Sequence, residues 1–158
     1  MPIDQRKSDW FFVIILWAFA FTSLLSDSIG ALGIPITADS ANPLVAGNYW
    51  YGHGTDPLFL AHPPWLRIMT FVSAFVFGPF YAVAGWAFLK GRAWIRIPSL
   101  MYTSAMLYSM TLWLGMELTG DYPVENWPKW LAFNGPYFVV PVVLAWRMRA
   151  ADPFVKKA

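Results

Sequence analysis

Residues 68–89 read IMTFVSAFVFGPFYAVAGWAFL, an apolar run without one charged side chain. As helix it is long enough to cross a hydrocarbon core, which takes about 20 residues. Pro79 in its middle argues against a soluble helix, because the missing N–H frees a carbonyl one turn back; within a bilayer, neighbouring helices satisfy such a group. Three further stretches repeat the pattern: Trp10 to Ile29, Ile97 to Leu118 and Trp130 to Met148. Pro98, Pro136 and Pro141 fall in or at the ends of the last two, and kinks are expected at all four prolines. Of the 158 residues 58% are hydrophobic and 13% charged, against about a quarter charged in ordinary soluble domains. So small a globule cannot hide that much apolar surface from water, so lipid is the expected solvent. The expectation is an all-α integral membrane protein. It comprises one domain, 1–158, with four transmembrane helices at approximately 10–30, 66–89, 97–118 and 129–148 and a long outer loop between helices 1 and 2. The first stretch, preceded by Arg6 and Lys7, is read as a retained helix rather than a signal peptide, since no clear small-x-small cleavage site follows it.

The basic residues orient these spans. Nine of the eleven fall at Arg6, Lys7, Lys90, Arg92, Arg96, Arg147, Arg149, Lys156 and Lys157, which the positive-inside rule assigns to the cytoplasmic side. Only Arg67 and Lys129 fall on the other side. Both termini are therefore expected in the cytoplasm, with the choice between a bacterial cytoplasmic membrane and the endoplasmic reticulum left open. The connection from Gly33 to Trp65 is long, aromatic and rich in turn formers. It is expected to cover the outer mouth of the bundle as a lid.

The absences narrow the chemistry. No Lys/Arg-rich tract suits nucleic acid. Without cysteine there is no disulfide framework, thiolate nucleophile or Cys-based metal site. His53 and His62 lie nine residues apart and lack the i,i+4 spacing of helical metal ligands. No phosphate loop, nucleophile elbow or dinucleotide fingerprint occurs. Neither a metal nor another cofactor is expected.

What stands out is polar residues inside apolar spans. Asp27 and Glu117 fall near the same ends of two helices that run in the same direction, so they reach similar depth. Asn134, Thr70, Ser73 and Ser23 join that layer, which thus receives side chains from all four stretches. A charged side chain within a span costs about 2.5–3.5 kcal/mol on insertion scales and normally faces a cavity or a partner. Two acids in one desolvated pocket cannot both ionise without a cation, so Asp27 and Glu117 are expected to face one cavity and titrate as a pair, with Asn134 orienting one of them. Trp17, Tyr108, Trp113 and Tyr137 are expected around them, offering ring faces to a cationic ligand or a carbocation.

At these residues the chain resembles the emopamil-binding protein superfamily, also called EXPERA, whose branches include the sterol delta-8 to delta-7 isomerase and the sigma-2 receptor. Asp56-Pro57-Leu58 followed by Pro63-Pro64-x-Leu66 is similar to the outer-loop pattern of the sigma-2 branch. Closer still to that branch, across the second helix and the turn beyond it, are Phe77-Gly78-Pro79-Phe80, Ala87-Phe88-Leu89-Lys90-Gly91 and Trp94-Ile95-Arg96-x-Pro98. Tyr108, Glu117 and Gly120-Asp121, with Asn134 seven residues before Pro141, resemble the isomerase branch instead. Ser23 stands where the isomerase has a His, and its second-helix glutamate has no counterpart, the nearest residues being Thr70 and Ser73. The resemblance implies a sterol-like or terpenoid lipid ligand and a homodimer. As an enzyme, the chain would be an isomerase or proton-initiated cyclase using Glu117 and Asp27 as acid and base and Asn134 to orient one of them. Ser23, Thr70, Ser73, Tyr108, Trp113 and Tyr137 would contact the ligand. The alternative is a non-catalytic binder of sterols or cationic amphiphiles, in which Asp27 or Glu117 pairs with an amine.

Overall fold

A computed structural model describes residues 2–155, all helix, turn and irregular chain without a strand. Lys156 and Lys157, which counted toward the orientation, lie outside the described residues. The four apolar stretches form the long helices α1 (Asp9–Ala31), α4 (Pro64–Lys90), α5 (Arg96–Thr119) and α6 (Trp127–Arg147). Two short helices, α2 (Pro43–Gly52) and α3 (Pro57–Ala61), lie in the connection between α1 and α4. By length and composition α1 and α4 can each cross a membrane. Two such helices, of 23 and 27 residues, suit the membrane character read from composition. At 24 and 21 residues α5 and α6 are comparably long.

Local chemistry sets the boundaries. Helices α2, α3, α4 and α6 each have proline in the first turn, where no N–H is needed, and Asn42, Asp56 and Asn126 cap three of them. Gly91 ends α4 in the left-handed region at φ 63°. Pro98 lies in the first turn of α5, where it costs the helix nothing, and α6 continues as helix through Pro136 and Pro141. Pro79 sits just beyond the one interruption of α4, a wider π-type turn over Ser73–Phe77. The matching π-turn of α1, Ser23–Asp27, has no proline near it, and the two π-turns pack against one another.

The long helices associate as two pairs, α1 with α4 and α5 with α6. Across the middle, Tyr81 donates to Tyr102 at 3.1 Å, Phe80 stacks on Tyr102 and Phe19 stacks on Tyr137 with centroids 4.2 Å apart. Toward the ends that carry Arg6 and Arg147 the space closes over Leu16, Phe88, Leu144 and Met148, all fully buried. Toward the ends that carry the two π-turns it opens into a cavity, and α2 and α3 fold over that opening. Glu125 N–H donates to Thr55 O at 3.0 Å and Lys129 Nζ to Trp50 O at 2.8 Å, which pins this segment to the turn after α5 and to the first turn of α6.

Candidate functional site

The cavity between the helix pairs has a volume of about 560 Å³, inside the range of pockets that enclose a drug-sized ligand. Its walls are chiefly apolar and aromatic, with Phe19, Phe59, Phe77, Met106, Met110, Trp113 and Phe133 among them. On α5 the inward residues Met106, Ser109, Met110 and Trp113 follow the i, i+3, i+4, i+7 spacing of one helical face. From the folded-over segment come Gly47, Asn48, Trp50, Tyr51 and Phe59. The connection from Gly33 to Trp65 thus supplies a wall of the cavity.

Asp27 lies on this wall, in the π-turn of α1. The Ser73 hydroxyl, on the facing π-turn of α4, donates to its Oδ2 at 2.5 Å, and Ser23 Oγ lies 3.2 Å from Ser73 Oγ. A π-turn inserts one residue and so shifts the face that follows it. The facing π-turns hold these three side chains together at the seam between α1 and α4. Among the described residues no lysine or arginine forms an ion pair with Asp27. Beside it, Asn48 of α2 bridges to α1, accepting from Ser26 Oγ at 2.5 Å and donating to Ser26 O at 3.2 Å.

A second polar group closes the opposite wall. Asn134 Nδ2 donates both to the Trp130 carbonyl at 3.0 Å and to Tyr51 OH at 2.7 Å, and Tyr51 OH donates onward to Asp56 Oδ2 at 2.8 Å. The carbonyl can only accept, so the amide orientation is fixed. Asp56 Oδ1 takes the Phe59 N–H at 2.7 Å, capping α3. Burial pushes the Asp56 carboxyl above the usual carboxylate range, against the pull of these donors, and burial beside Asp56 raises the Tyr51 phenol too. His62 follows α3 with φ 45° and is half-buried; Thr70 Oγ1 lies 3.3 Å from its Nε2, and burial lowers its pKa below the ordinary value.

The anticipated site residues separate. Asp27, Asn134, Thr70, Ser73, Trp113 and Tyr137 line the cavity. Ser23 is fully buried behind the wall, reaching it only through Ser73. Tyr108 is 74% exposed on the opposite face of α5; its five-residue offset from Trp113 turns it about 140° around the helix. Trp17 points outward as well, packing against Gly85. Glu117 is not on the cavity wall with Asp27. It is 1% exposed, its Oε1 accepts the Trp113 N–H at 2.8 Å, and the carboxyl beside it belongs to Asp56. Depth along the helices says nothing of azimuth, and the inward fold of α2 and α3 places a third acid, Asp56, beside Glu117. Tyr51, Asn48 and Asp56 were missed as site residues. The readable signal was Asp56-Pro57, a capping acid followed by a first-turn proline, which marks an ordered helix start in place of a solvated loop.

The EXPERA (EXPanded EBP superfamily) family model matches residues 43–148. Sigma intracellular receptor 2 of Xenopus tropicalis is 27% identical over 155 residues, covering 91% of this chain and 89% of that protein. Sigma intracellular receptor 2 of Homo sapiens is 28% identical over 114 residues, covering 60% and 62% respectively.

Proposed function

The chain belongs to the EXPERA family, and on that premise we propose that it is a membrane-embedded binding protein for a hydrophobic ligand that carries a protonated amine, held by Asp27. The observation that carries this reading is the cavity wall itself: Asp27 is the sole carboxylate among its lining residues, and it meets no cation there. An ammonium would supply the missing countercharge, and the ring faces of Phe19, Tyr137 and Phe133 would surround it. The apolar remainder of the cavity suits a sterol-sized or terpenoid-sized body. The name of the two relatives, an intracellular receptor, supports binding as well.

The reading includes four membrane-spanning helices, α1, α4, α5 and α6, with both termini and the turn at Lys90 to Arg96 in the cytoplasm, as the basic residues suggest. A cysteine at Gly54 should then label from the far side of sealed membranes; labelling only after permeabilisation would reverse the orientation.

Isomerisation or cyclisation of an alkene is the second reading, favoured by the buried acid Glu117 and by Asn134 on the wall. It needs an acid and a base on one ligand, whereas Trp113 and Asp56 occupy the surroundings of Glu117. Incubation with a delta-8 sterol in deuterated water separates the two readings, since only catalysis incorporates deuterium.

The direct test measures the affinity of the purified protein for a lipophilic tertiary amine and for its neutral carbon isostere. Asp27→Asn should weaken the amine at least about 30-fold, the equivalent of about 2 kcal/mol, and leave the isostere unchanged. Equal losses for both, or none for the amine, would refute the assignment of Asp27.

A further inference from the structure

Behind the wall that Tyr51 and Asn134 present to the cavity lies a group of polar atoms that the proposed ligand does not reach. Asp56 and Glu117 stand side by side there, both shielded from solvent, with the Trp130 indole beside both carboxyls. Three of the four carboxylate oxygens have donors: Asp56 Oδ1 takes Phe59 N–H, Asp56 Oδ2 takes Tyr51 O–H and Glu117 Oε1 takes Trp113 N–H. The fourth, Glu117 Oε2, is buried and has no partner among the described residues, and neither does the buried Trp130 Nε1–H. An unused acceptor and an unused donor beside the same carboxyl are what a single water molecule satisfies, donating to one and accepting from the other.

The charges point to a proton at the same place. Neither acid has an ion-pair partner among the described residues. The titratable group that faces them is Tyr51 on α2, and Lys129 on α6 and Glu125 in the preceding turn have contacts of their own. Lys129 Nζ is engaged by the Trp50 carbonyl and the Trp50 ring, and Glu125 enters only through its N–H to Thr55 O. Two adjacent carboxylates without a cation cannot both ionise out of water.

We propose that Asp56 and Glu117 form a closed second site that binds one water molecule and one proton shared between the two carboxyls. Its link to the cavity is positional. Tyr51 can donate to Asp56 and accept from Asn134 only while the pair stays compact, and that arrangement fixes the Asn134 amide on the cavity wall. Tyr51 and Asp56 are positioning residues, and Glu117 stores the proton without touching ligand. The inference rests on the geometry of this acid pair and not on the binding role of Asp27.

The test uses the ligand-free full-length Asp27→Asn protein in lipid nanodiscs, so that Asp27 cannot contribute, and reads the infrared C=O stretch of a protonated carboxylic acid at neutral pH, with its shift in deuterated water. One such band is expected, and it should vanish in Asp27→Asn/Glu117→Gln, because removing the repelling neighbour lets Asp56 ionise against its two donors. Asp27→Asn/Trp130→Phe should keep the band but move it, since the water loses a donor. A protein without the band, or a band that survives Glu117→Gln, overturns the shared proton. A band unmoved by Trp130→Phe overturns the water. None of these outcomes depends on a ligand, so failure here and failure of the amine-binding reading are separable.

Discussion

The two ends of the bundle treat buried acids in opposite ways. Asp9, at the start of α1, is fully buried and saturated with positive charge: Arg6 pairs with one oxygen, and Arg147 reaches both through Nε at 2.7 Å and Nη2 at 2.9 Å. The two guanidiniums continue outward, Arg6 to Phe88 O at 2.9 Å and Arg147 to Pro153 O at 2.6 Å, with Phe154 packed against both. One carboxylate therefore joins the N-terminal segment, α4, α6 and the C-terminal segment. At the other end, Asp27, Asp56 and Glu117 have hydroxyl, indole and backbone donors but no ion-pair partner among the described residues. An acid surrounded by arginines is satisfied by the fold alone. An acid left with neutral donors in a buried place keeps an unfilled electrostatic demand, which a ligand cation or a proton can meet. The first kind holds the helices together, and the second marks the site proposed for the ligand.

That contrast is broken or sharpened first by making the same substitution at each end. Asp9→Asn leaves two guanidiniums facing a neutral amide in a dry place, and removing one partner of a buried ion pair typically costs 3–5 kcal/mol. The thermal midpoint in detergent should fall steeply. Asp27→Asn removes a charge that had no countercharge, keeps the acceptor for Ser73 and should leave the midpoint unchanged or slightly raised while it abolishes amine selectivity. If both variants lose stability equally, the distinction between a structural acid and a functional acid fails.

The extent of this that sequence alone displays follows from what each pattern encodes. Helix ends were legible because proline, capping residues and glycine act locally: the expected 66–89 and 97–118 agree with Pro64–Lys90 and Arg96–Thr119 to within two residues at each end. The acids themselves stood out because acids in apolar runs are rare whatever the fold. Which of those side chains share a face was not. The π-turn at Ser23–Asp27 has no sequence signature and sets the azimuth of Asp27. Tyr108 and Trp113 seemed equivalent by composition, yet only helical phase separates the exposed ring from the one on the wall. The partner of Glu117 depended on tertiary folding of α2 and α3, which carries Asp56 inward by long-range contacts that no local pattern reports. The Asp9 clamp was hidden for a similar reason, because Arg6 and Arg147 counted only as orientation signals until the helix ends were brought together.

A smaller effect is expected where the cavity end is held by shape rather than charge. The ring of His62 lies directly against Gly30 near the end of α1, so that a Cβ added there would meet the imidazole. Gly30→Ala should push His62 away from Thr70 and cost about 1–3 kcal/mol, as overpacking does. The measurement is the midpoint of thermal unfolding. Because Thr70 lines the cavity, ligand affinity should fall with it, whereas Gly135→Ala, away from the cavity wall and with nothing for an added Cβ to meet, should leave affinity unchanged and the midpoint no lower. If Gly30→Ala is as silent as Gly135→Ala, the His62 contact does not support the cavity.

The smallest effect concerns the protonation of that same histidine. Burial lowers the His62 pKa in the folded protein below its ordinary value of 6.5, and the Arg67 charge acts in the same direction. The unfolded chain therefore binds the proton more readily. Stability from this group is present above pH 6.5 and declines as the pH falls through 6.5 toward the folded value, the sign required when the unfolded state holds more protons. His62 is only half-buried, which keeps the change modest. Thermal midpoints measured on either side of pH 6.5 should differ in the wild type, and His62→Gln, which keeps a neutral donor and acceptor at every pH, should remove the part of that difference due to His62. An undiminished pH dependence in His62→Gln would place the responsible proton elsewhere, with the Asp56 and Glu117 pair as the next group to test.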